Sequence, residues 1–253
     1  MVQPPNAGMD RACIDCPLIS RTLYGALHPH EIESLRCVPS YRAVRPRALI
    51  HRLNEVPDEI YSVRSGWAIR FMLLPDGRRQ ILSIYLPGDF ISLQALQNQP
   101  LWFAVQALSN VELCALQRTK FASLLAQHPV MARRLQRFCA LHTANLDNRL
   151  VDIGKCRAIE RVVKLLLKIE ARFASLGEIG SDGSFPFLLR HEHIADALGL
   201  TRVHVSRTIS LMRKENMAAI DDSRATILDR GAMLDAAGLA DDTLRFEEEM
   251  FVA

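Results

Sequence analysis

The hydrophobic pattern of this 253-residue chain changes its period near Pro129. From Ala43 to Ala115, short apolar runs are separated at regular intervals by turn sequences such as Pro75-Asp76-Gly77 and Pro87-Gly88-Asp89. Beyond Pro129, apolar residues recur every three or four positions. Strands need a period of two and helices a period of about 3.6, so we expect an α+β fold whose sheet part precedes its helical part.

The sheet part, residues 1–128, is predicted to contain an antiparallel β jelly roll. Strands are indicated at Ile69 to Leu74 and at Gln80 to Leu86, and the second alternates its apolar side chains between two faces. The turns between strands contain glycine, which adopts positive φ, and proline, which fixes the preceding corner. Closely spaced strands joined in this way form a barrel or a double sheet.

Residues 129–156 are predicted to form one long dimerisation helix. A single stripe runs along it: Met131, Leu135, Phe138, His142, Leu146, Leu150 and Ile153. Packing on the chain's own barrel accounts for part of this stripe. A parallel two-chain seam through residues 131–153 accounts for the rest, with His142 as the polar residue that sets the register. We therefore expect a homodimer.

The last part, residues 157–253, contains a helix-turn-helix pattern. The apolar side of its first helix is formed by Ile194, Ala197 and Leu198. Gly199 permits the tight turn that follows, and Thr201 is a suitable N-cap for the second helix. A short hairpin after the second helix has the position of a wing.

The second helix of this pattern has two different sides. Val205, Ile209 and Met212 share the side that is expected to pack on the domain. The opposite side is mostly polar: Arg202, Val203, Ser206, Arg207 and Ser210. It is suited to the major groove of DNA, where an arginine can bond O6 and N7 of a guanine together. An ordinary amphipathic helix with a solvated basic side is the alternative, which the turn pattern and the hairpin disfavour.

Together these motifs resemble the Crp/Fnr family of bacterial transcription regulators. The resemblance is carried by four segments: Val63-Arg64-Ser65-Gly66, Leu86-Pro87-Gly88-Asp89-Phe90, Leu198-Gly199-Leu200-Thr201 and Val205-Ser206-Arg207. It implies a homodimer that binds a palindromic DNA site, and a sensory barrel that controls DNA binding through the long helix. RNA polymerase is then a further expected partner.

The resemblance also implies a set of DNA contacts: Arg202, Val203, His204, Ser206, Arg207 and, on the first helix, His191. Arg207 matches the arginine that reads guanine in the half-site. Val203 stands where the family has a base-reading glutamate, so an acceptor for cytosine N4 is missing and the usual half-site is not expected. His204 either contacts phosphate or base, or remains an uninvolved surface histidine.

Cyclic-nucleotide binding is not expected. The members that bind these ligands hold the ribose with Gly-Glu after the Gly-Asp-Phe turn, and the phosphate with Arg-Ser further on. This chain has Ser92-Leu93 and Leu101-Trp102 at those places. A phosphate would therefore meet no cation there, and a ribose no carboxylate.

The oxygen-sensing branch of the family binds an iron–sulfur cluster through three N-terminal cysteines and one in the barrel. Cys13 and Cys16 match two of the first group and Cys114 matches the barrel ligand, whereas Thr22 replaces the third cysteine. The chain therefore recruits Cys37, uses a ligand other than cysteine, or carries no cluster. Three interpretations stay open: a cluster on these four cysteines, a Cys13–Cys16 thiol–disulfide switch, or reduced structural cysteines with another or no effector.

The remaining thiols and histidines give weaker expectations. Cys139 and Cys156 fall on helices and are expected to pack rather than react. A haem sensor is an alternative for which His28, His30 and His51 are conceivable ligands.

An enzyme is not expected. A cupin-type oxygenase needs His-x-His and a carboxylate on neighbouring strands, and both His-x-His sequences, His28/His30 and His191/His193, lie outside the strand region. No nucleophile or phosphate-binding motif is present in the sequence. We predict no catalytic residue.

The composition agrees with a regulator in the cytoplasm without identifying one. The formal net charge is only +3, and 49% of the residues are hydrophobic. No run approaches the roughly 18 consecutive apolar residues that a membrane-spanning helix needs. The N-terminus lacks the basic and apolar regions of a secretory signal, so we expect a cytoplasmic protein with no membrane partner.

Overall fold

The structure, a computed structural model, describes residues 40–221 and 223–239, together with Leu18 and Gly25. The chain divides into two compact units between Ala140 and Leu141, inside its longest helix. The first unit contains the predicted sheets and the second is mainly helical, which confirms the α+β class. No helix of the described residues is long and apolar enough to cross a membrane.

Two antiparallel four-stranded sheets form the first unit, with strand orders β1-β8-β3-β6 and β2-β7-β4-β5. The strands are β1 Ser40–Val44, β2 Leu49–His51, β3 Glu59–Ser65, β4 Ala68–Leu73, β5 Arg79–Tyr85, β6 Phe90–Ile91, β7 Ala104–Ala107 and β8 Val111–Gln117. Both sheets send apolar side chains into one core, including Val63, Phe103 and Leu113. The predicted strands at 69–74 and 80–86 are each displaced by one residue.

Two helices follow the sheets, α1 Arg118–Gln127 and α2 Pro129–Lys155. The predicted stripe of α2 changes its surroundings along the helix. Met131 is buried and Leu135 packs beside it against a cluster that includes Phe90. The rings of Phe138 and Phe90 are 6.1 Å apart, edge to face. The beginning of the stripe therefore packs on the chain's own sheets.

The second unit consists of the end of α2 and a small winged domain. Its elements are α3 Ala158–Leu176, β9 Ser184–Pro186, α4 His191–Leu198, α5 Arg202–Lys214, β10 Ala218–Asp221, β11 Arg224–Ile227 and α6 Arg230–Ala237. The three strands form a sheet in the order β10-β11-β9. The strand predicted at 185–189 is shorter and ends at Pro186, because a proline has no N–H to donate to the ladder.

Candidate nucleic-acid interface

The turn between α4 and α5 has the geometry that the sequence predicted. Gly199 caps α4 with φ 65° and ψ 37°, a left-handed conformation. A Cβ at Gly199 would lie 3.6 Å from Ile153 Cγ2, which is ordinary contact, so the positive φ rather than crowding favours glycine here. Thr201 caps α5, because its side chain accepts a hydrogen bond of 3.2 Å from the His204 N–H.

One side of α5 is anchored in the second unit. Val205 and Met212 are fully buried, and Ile209 is half-buried, as the spacing predicted. Thr208 is buried on the same side, although the sequence analysis did not identify it. Thr208 lies one turn from both Val205 and Met212, and this spacing indicates the buried side of the helix. Its side chain is polar, so a search for apolar residues at helical spacing does not include it.

The opposite side of α5 is exposed and carries the predicted contacts. Exposed residues in its first two turns are Arg202, Val203, His204, Ser206 and Arg207. His191 is exposed as well and begins α4, so it lies on a different element from the others. Two guanidinium groups and a hydroxyl on one side of a helix can donate hydrogen bonds to base edges and phosphates.

The end of α5 is tied to the wing. Arg213 Nη2 donates to Asp221 Oδ1 at 3.0 Å and to the Ile220 carbonyl at 3.1 Å. On the other side of the wing, Arg224 donates to the Ser184 hydroxyl and carbonyl at 2.8 and 2.9 Å. These bonds hold the hairpin beside the helix.

Two arginines join the preceding helices to the helix-turn-helix. Arg149 Nη2 of α2 donates to the Ala197 carbonyl at 2.6 Å, and Arg161 Nη1 of α3 donates to the Leu198 carbonyl at 3.1 Å. Both acceptors are last-turn carbonyls of α4, which lack partners within their own helix. Neither arginine was predictable from the sequence, because a main-chain carbonyl acceptor leaves no pattern there.

Cys156 follows α2 directly and lies within a polar contact. Its Sγ is 3.4 Å from Lys164 Nζ and 3.5 Å from Asp152 Oδ1, and Lys164 and Asp152 form an ion pair of 2.7 Å. Burial raises the pKa of the Cys156 thiol, and the hydrogen bond and charge of Lys164 oppose this shift. Cys139, by contrast, is exposed on α2, so the expectation that it packs was wrong for the single chain.

The resemblance places the cyclic-nucleotide contacts of the family at Ser92-Leu93 and at Leu101-Trp102. Leu101 is fully buried in the core of the sheets, and Trp102 beside it is exposed. Ser92 is buried with φ 63°, and no hydrogen bond to its hydroxyl is present among the described residues. The side chain of Leu101 therefore occupies space inside the barrel.

Arg70 is a buried cation that the sequence analysis did not identify. It lies on β4 with 4% of its surface exposed, and its guanidinium carbon is 5.0 Å from the centre of the Phe103 ring. Burial raises the pKa of the neighbouring Tyr85, and Arg70 opposes that shift. The expectation that a phosphate would meet no cation was based on Leu101-Trp102 and did not include this guanidinium in the barrel.

Cys114 is the member of the predicted cluster set that the structure describes. It lies on β8, paired with Tyr41 and Ser62 on the adjacent strands. Since Leu113 and Ala115 point into the core, Cys114 is on the outer face of its sheet.

The other N-terminal candidates lie outside the described residues: Cys13, Cys16, Thr22, His28, His30 and Cys37. Within the part of the chain that the structure describes, no group of three or more His, Cys, Asp and Glu side chains could hold a metal ion.

His51 is buried in the first unit rather than exposed to a ligand. Its ring is stacked at 5.2 Å on Tyr61, and its Nδ1 is 3.0 Å from Glu55 Oε1. Burial lowers the pKa of His51, and the hydrogen bond and charge of Glu55 oppose this. The imidazole is thus part of a packed contact between β2 and β3.

Comparison with protein families gives two matches along the chain. Residues 41–128 match the cyclic nucleotide-binding domain, and residues 160–236 match the Crp-like helix-turn-helix domain. The first match coincides with the sheets and α1, and the second extends from α3 to α6.

Curated relatives cover nearly the whole chain. The transcriptional activatory protein AadR of Rhodopseudomonas palustris is 28% identical over 85% of this chain and 88% of its own length. The transcriptional activator protein FnrL of Cereibacter sphaeroides is 28% identical over 89% of this chain and 92% of its own. Among solved structures, FixK2 from Bradyrhizobium japonicum has the same fold, with a TM-score of 0.72 and 24% identity over 80% of this chain and 99% of that one.

Proposed function

The chain belongs to the Crp/Fnr family of transcription regulators, and from this membership we propose that it binds a palindromic DNA operator as a homodimer. Its relatives and its fold are those of regulators and not of enzymes. The proposal includes a cytoplasmic location, RNA polymerase as a partner, and a signal that acts on the barrel or the N-terminal cysteines.

The observation that carries this proposal is the exposed side of α5. Thr201 fixes the start of the helix, and Val205 and Met212 anchor it, so the first turns of α5 project from the domain. The major groove of DNA is about 12 Å wide, and we propose that the first turns of α5 contact base edges in it, with Arg207 donating hydrogen bonds to O6 and N7 of a guanine. Lys214 adds positive charge at the far end of the helix, where phosphates follow the groove, whereas the charge of Arg213 is paired with Asp221.

The exposed part of the α2 stripe supports the homodimer. Leu150 is 73% exposed, and Leu146 and Val151 are also exposed within the single chain. When two parallel helices pair, leucines at helical spacing on each helix are removed from water, and this burial stabilises the dimer. A two-fold axis through such a seam places two α5 helices on half-sites about 34 Å apart, which makes the operator palindromic.

Helix α2 is also the element that we propose carries the signal. Its beginning packs on the first unit through Met131, and its end bonds the helix-turn-helix through Arg149. A change at the barrel that alters the packing of α2 in the dimer would therefore alter the spacing of the two α5 helices.

Oxygen or redox state is the signal that we favour. The Cys13-x-x-Cys16 sequence, the outer-face position of Cys114 and the similarity to FnrL support it. The cofactor that we propose for this signal is an iron–sulfur cluster on Cys13, Cys16, Cys37 and Cys114. The alternatives are a Cys13–Cys16 thiol–disulfide switch without a cofactor, a haem sensor, and reduced structural cysteines with another or no effector. We propose that cyclic nucleotides are not the effector, and the burial of Leu101 supports this.

Selection from randomised duplexes tests the DNA half of the proposal. Full-length protein, prepared in air and separately without oxygen, is incubated with the library at fixed salt, and bound DNA is sequenced. We expect an inverted repeat whose half-sites are about one helical turn apart. Enrichment of no sequence in either preparation would contradict sequence-specific binding, and enrichment of a single unrepeated site would contradict the homodimer.

Analysis of iron and acid-labile sulfide tests the sensory half. An anaerobic preparation should contain both, and Cys114→Ser should lose them, whereas Cys139→Ser should retain them. An absorption spectrum of the same sample distinguishes haem from a cluster. A preparation with neither group, and with operator affinity that oxidation of the thiols does not change, would overturn the redox proposal.

A further inference from the structure

The exposed side of α5 has an apolar residue at its centre. Successive residues of a helix are about 100° apart, so the direction opposite to the buried Val205, Thr208 and Met212 passes within about 15° of Val203 and Ser210. Val203 is in the first turn of α5, and Ser210 lies two turns further on. The first turn of a recognition helix supplies contacts to base edges.

Val203 is 58% exposed, and its neighbours on the surface of α5 are polar. An isopropyl group neither donates nor accepts hydrogen bonds, so a polar base edge placed against it loses water without gaining a partner. In the major groove, cytosine and adenine present amino groups and guanine presents acceptors. Thymine alone presents a methyl group.

We infer that Val203 contacts the methyl group of a thymine in each half-site and so determines one base of the operator. This inference rests on the proposed function and deepens it. The contact favours thymine because both groups leave water, and it disfavours the other bases because their polar edges stay unpaired. A side chain as short as that of valine reaches the base edges only from the centre of the exposed side of the helix. Arg207 lies one turn further along α5 and away from that centre, but its longer side chain reaches the base edges.

Removal of the thymine methyl group tests this inference in the full-length protein. In the operator obtained by selection, each thymine is replaced in turn by deoxyuridine, which lacks only that methyl. We expect one position at which the Kd of the wild type rises about 4-fold for one half-site and about 15-fold for both. Val203→Ala should bind the thymine operator more weakly and be indifferent to uracil at that position.

Leu211→Ala is the matched control. Leu211 is another apolar residue of α5 with 46% exposure, but it lies in the third turn and away from the centre of the exposed side. This variant should retain the full effect of uracil. The inference is overturned if uracil leaves the wild-type Kd unchanged at every thymine, or if Val203→Ala responds to uracil as strongly as the wild type.

Val203→Glu gives a second test that does not depend on total affinity. A carboxylate accepts from the amino group of cytosine, so the preferred base at the same position should change from thymine to cytosine. A persistent preference for thymine in this variant contradicts the contact.

Failure of the proposed function gives a different result from failure of this inference. If the proposed function is wrong, the wild type enriches no sequence, or it binds the enriched duplex and a scrambled duplex with equal Kd at the same salt concentration. A protein that selects its operator through Arg207 but ignores the thymine methyl retains the function and loses only the assignment of Val203.

Discussion

The arginines of α5 in the second unit and Arg70 in the first unit have opposite surroundings. In the second unit, Arg202 and Arg207 stand exposed on α5, with their donors turned to solvent. In the first unit, Arg70 is 4% exposed and lies over the Phe103 ring. An exposed guanidinium is available to an external acceptor, whereas a buried one is already held by its surroundings. Arg202 and Arg207 are therefore the candidates for binding DNA, whereas Arg70 is packed in the core of the first unit.

The largest expected effect is that of substituting an exposed leucine, and we expect it in the second unit but not in the first. Leu150→Glu places two carboxylates in the proposed seam, so the protein should sediment as a monomer. Its operator affinity should fall about 1,000-fold, because the second half-site is no longer bound intramolecularly.

Leu73→Glu is the control for this variant, because Leu73 is an exposed leucine of the first unit. It should leave both the dimer and the operator affinity unchanged. A monomeric wild type, or a dimeric Leu150→Glu protein, would contradict the seam.

Arg70→Ala should reduce stability and leave operator choice alone. Loss of the side chain over Phe103 opens a cavity in the core, so the free energy of unfolding should fall by about 2 to 5 kcal/mol. Urea unfolding measures this, and Arg70→Met, which retains the stem, should lose less. An altered operator preference without loss of stability would show that the guanidinium has a role outside the core.

Arg149→Met should have a smaller effect within the second unit. It removes the hydrogen bond to the Ala197 carbonyl, which is expected to cost about 1.5 kcal/mol of unfolding free energy and to weaken operator binding. Arg133→Met, at an exposed arginine near the start of α2, is the control. Equal behaviour of the two variants would mean that Arg149 does not couple α2 to the helix-turn-helix.

The smallest effect is the pH dependence due to His51. Because burial lowers the pKa of folded His51 below its ordinary value of 6.5, the unfolded chain binds a proton first as the pH falls. The contribution of neutral His51 to the free energy of unfolding is fully present at pH values above the unfolded pKa. It is lost as the pH falls towards the pKa of His51 in the folded protein. His51→Gln should remove this part of the slope, measured by urea unfolding between about pH 7.5 and about pH 5.5. An unchanged slope would assign it to other groups.

The sequence predicted the second unit better than the first, for physical reasons. Gly199 and Thr201 act through their own backbone and near neighbours, so local chemistry was enough to place the turn and the start of α5. The two sides of α5 were predictable because burial follows the helical period, and only Thr208 was missed.

Contacts between distant residues were not predictable in this way. Arg70 lies 33 residues before Phe103 in the chain, and Arg149 bonds a main-chain carbonyl 48 residues away. The helix that carries the predicted stripe was correctly predicted, but the division of the stripe into a packed beginning and an exposed end was not, because it depends on contacts with residues far away in the chain.

The central claim is that the exposed side of α5 reads DNA, and fluorescence anisotropy of Arg207 variants tests it most directly. Arg207→Lys keeps the charge but loses the two-bond contact with guanine, so its Kd for a scrambled duplex should equal that of the wild type at the same salt. Its Kd for the selected operator should rise, and that of Arg207→Ala should rise at least about 30-fold over two half-sites. Operator binding by Arg207→Ala as tight as that of the wild type would contradict the account.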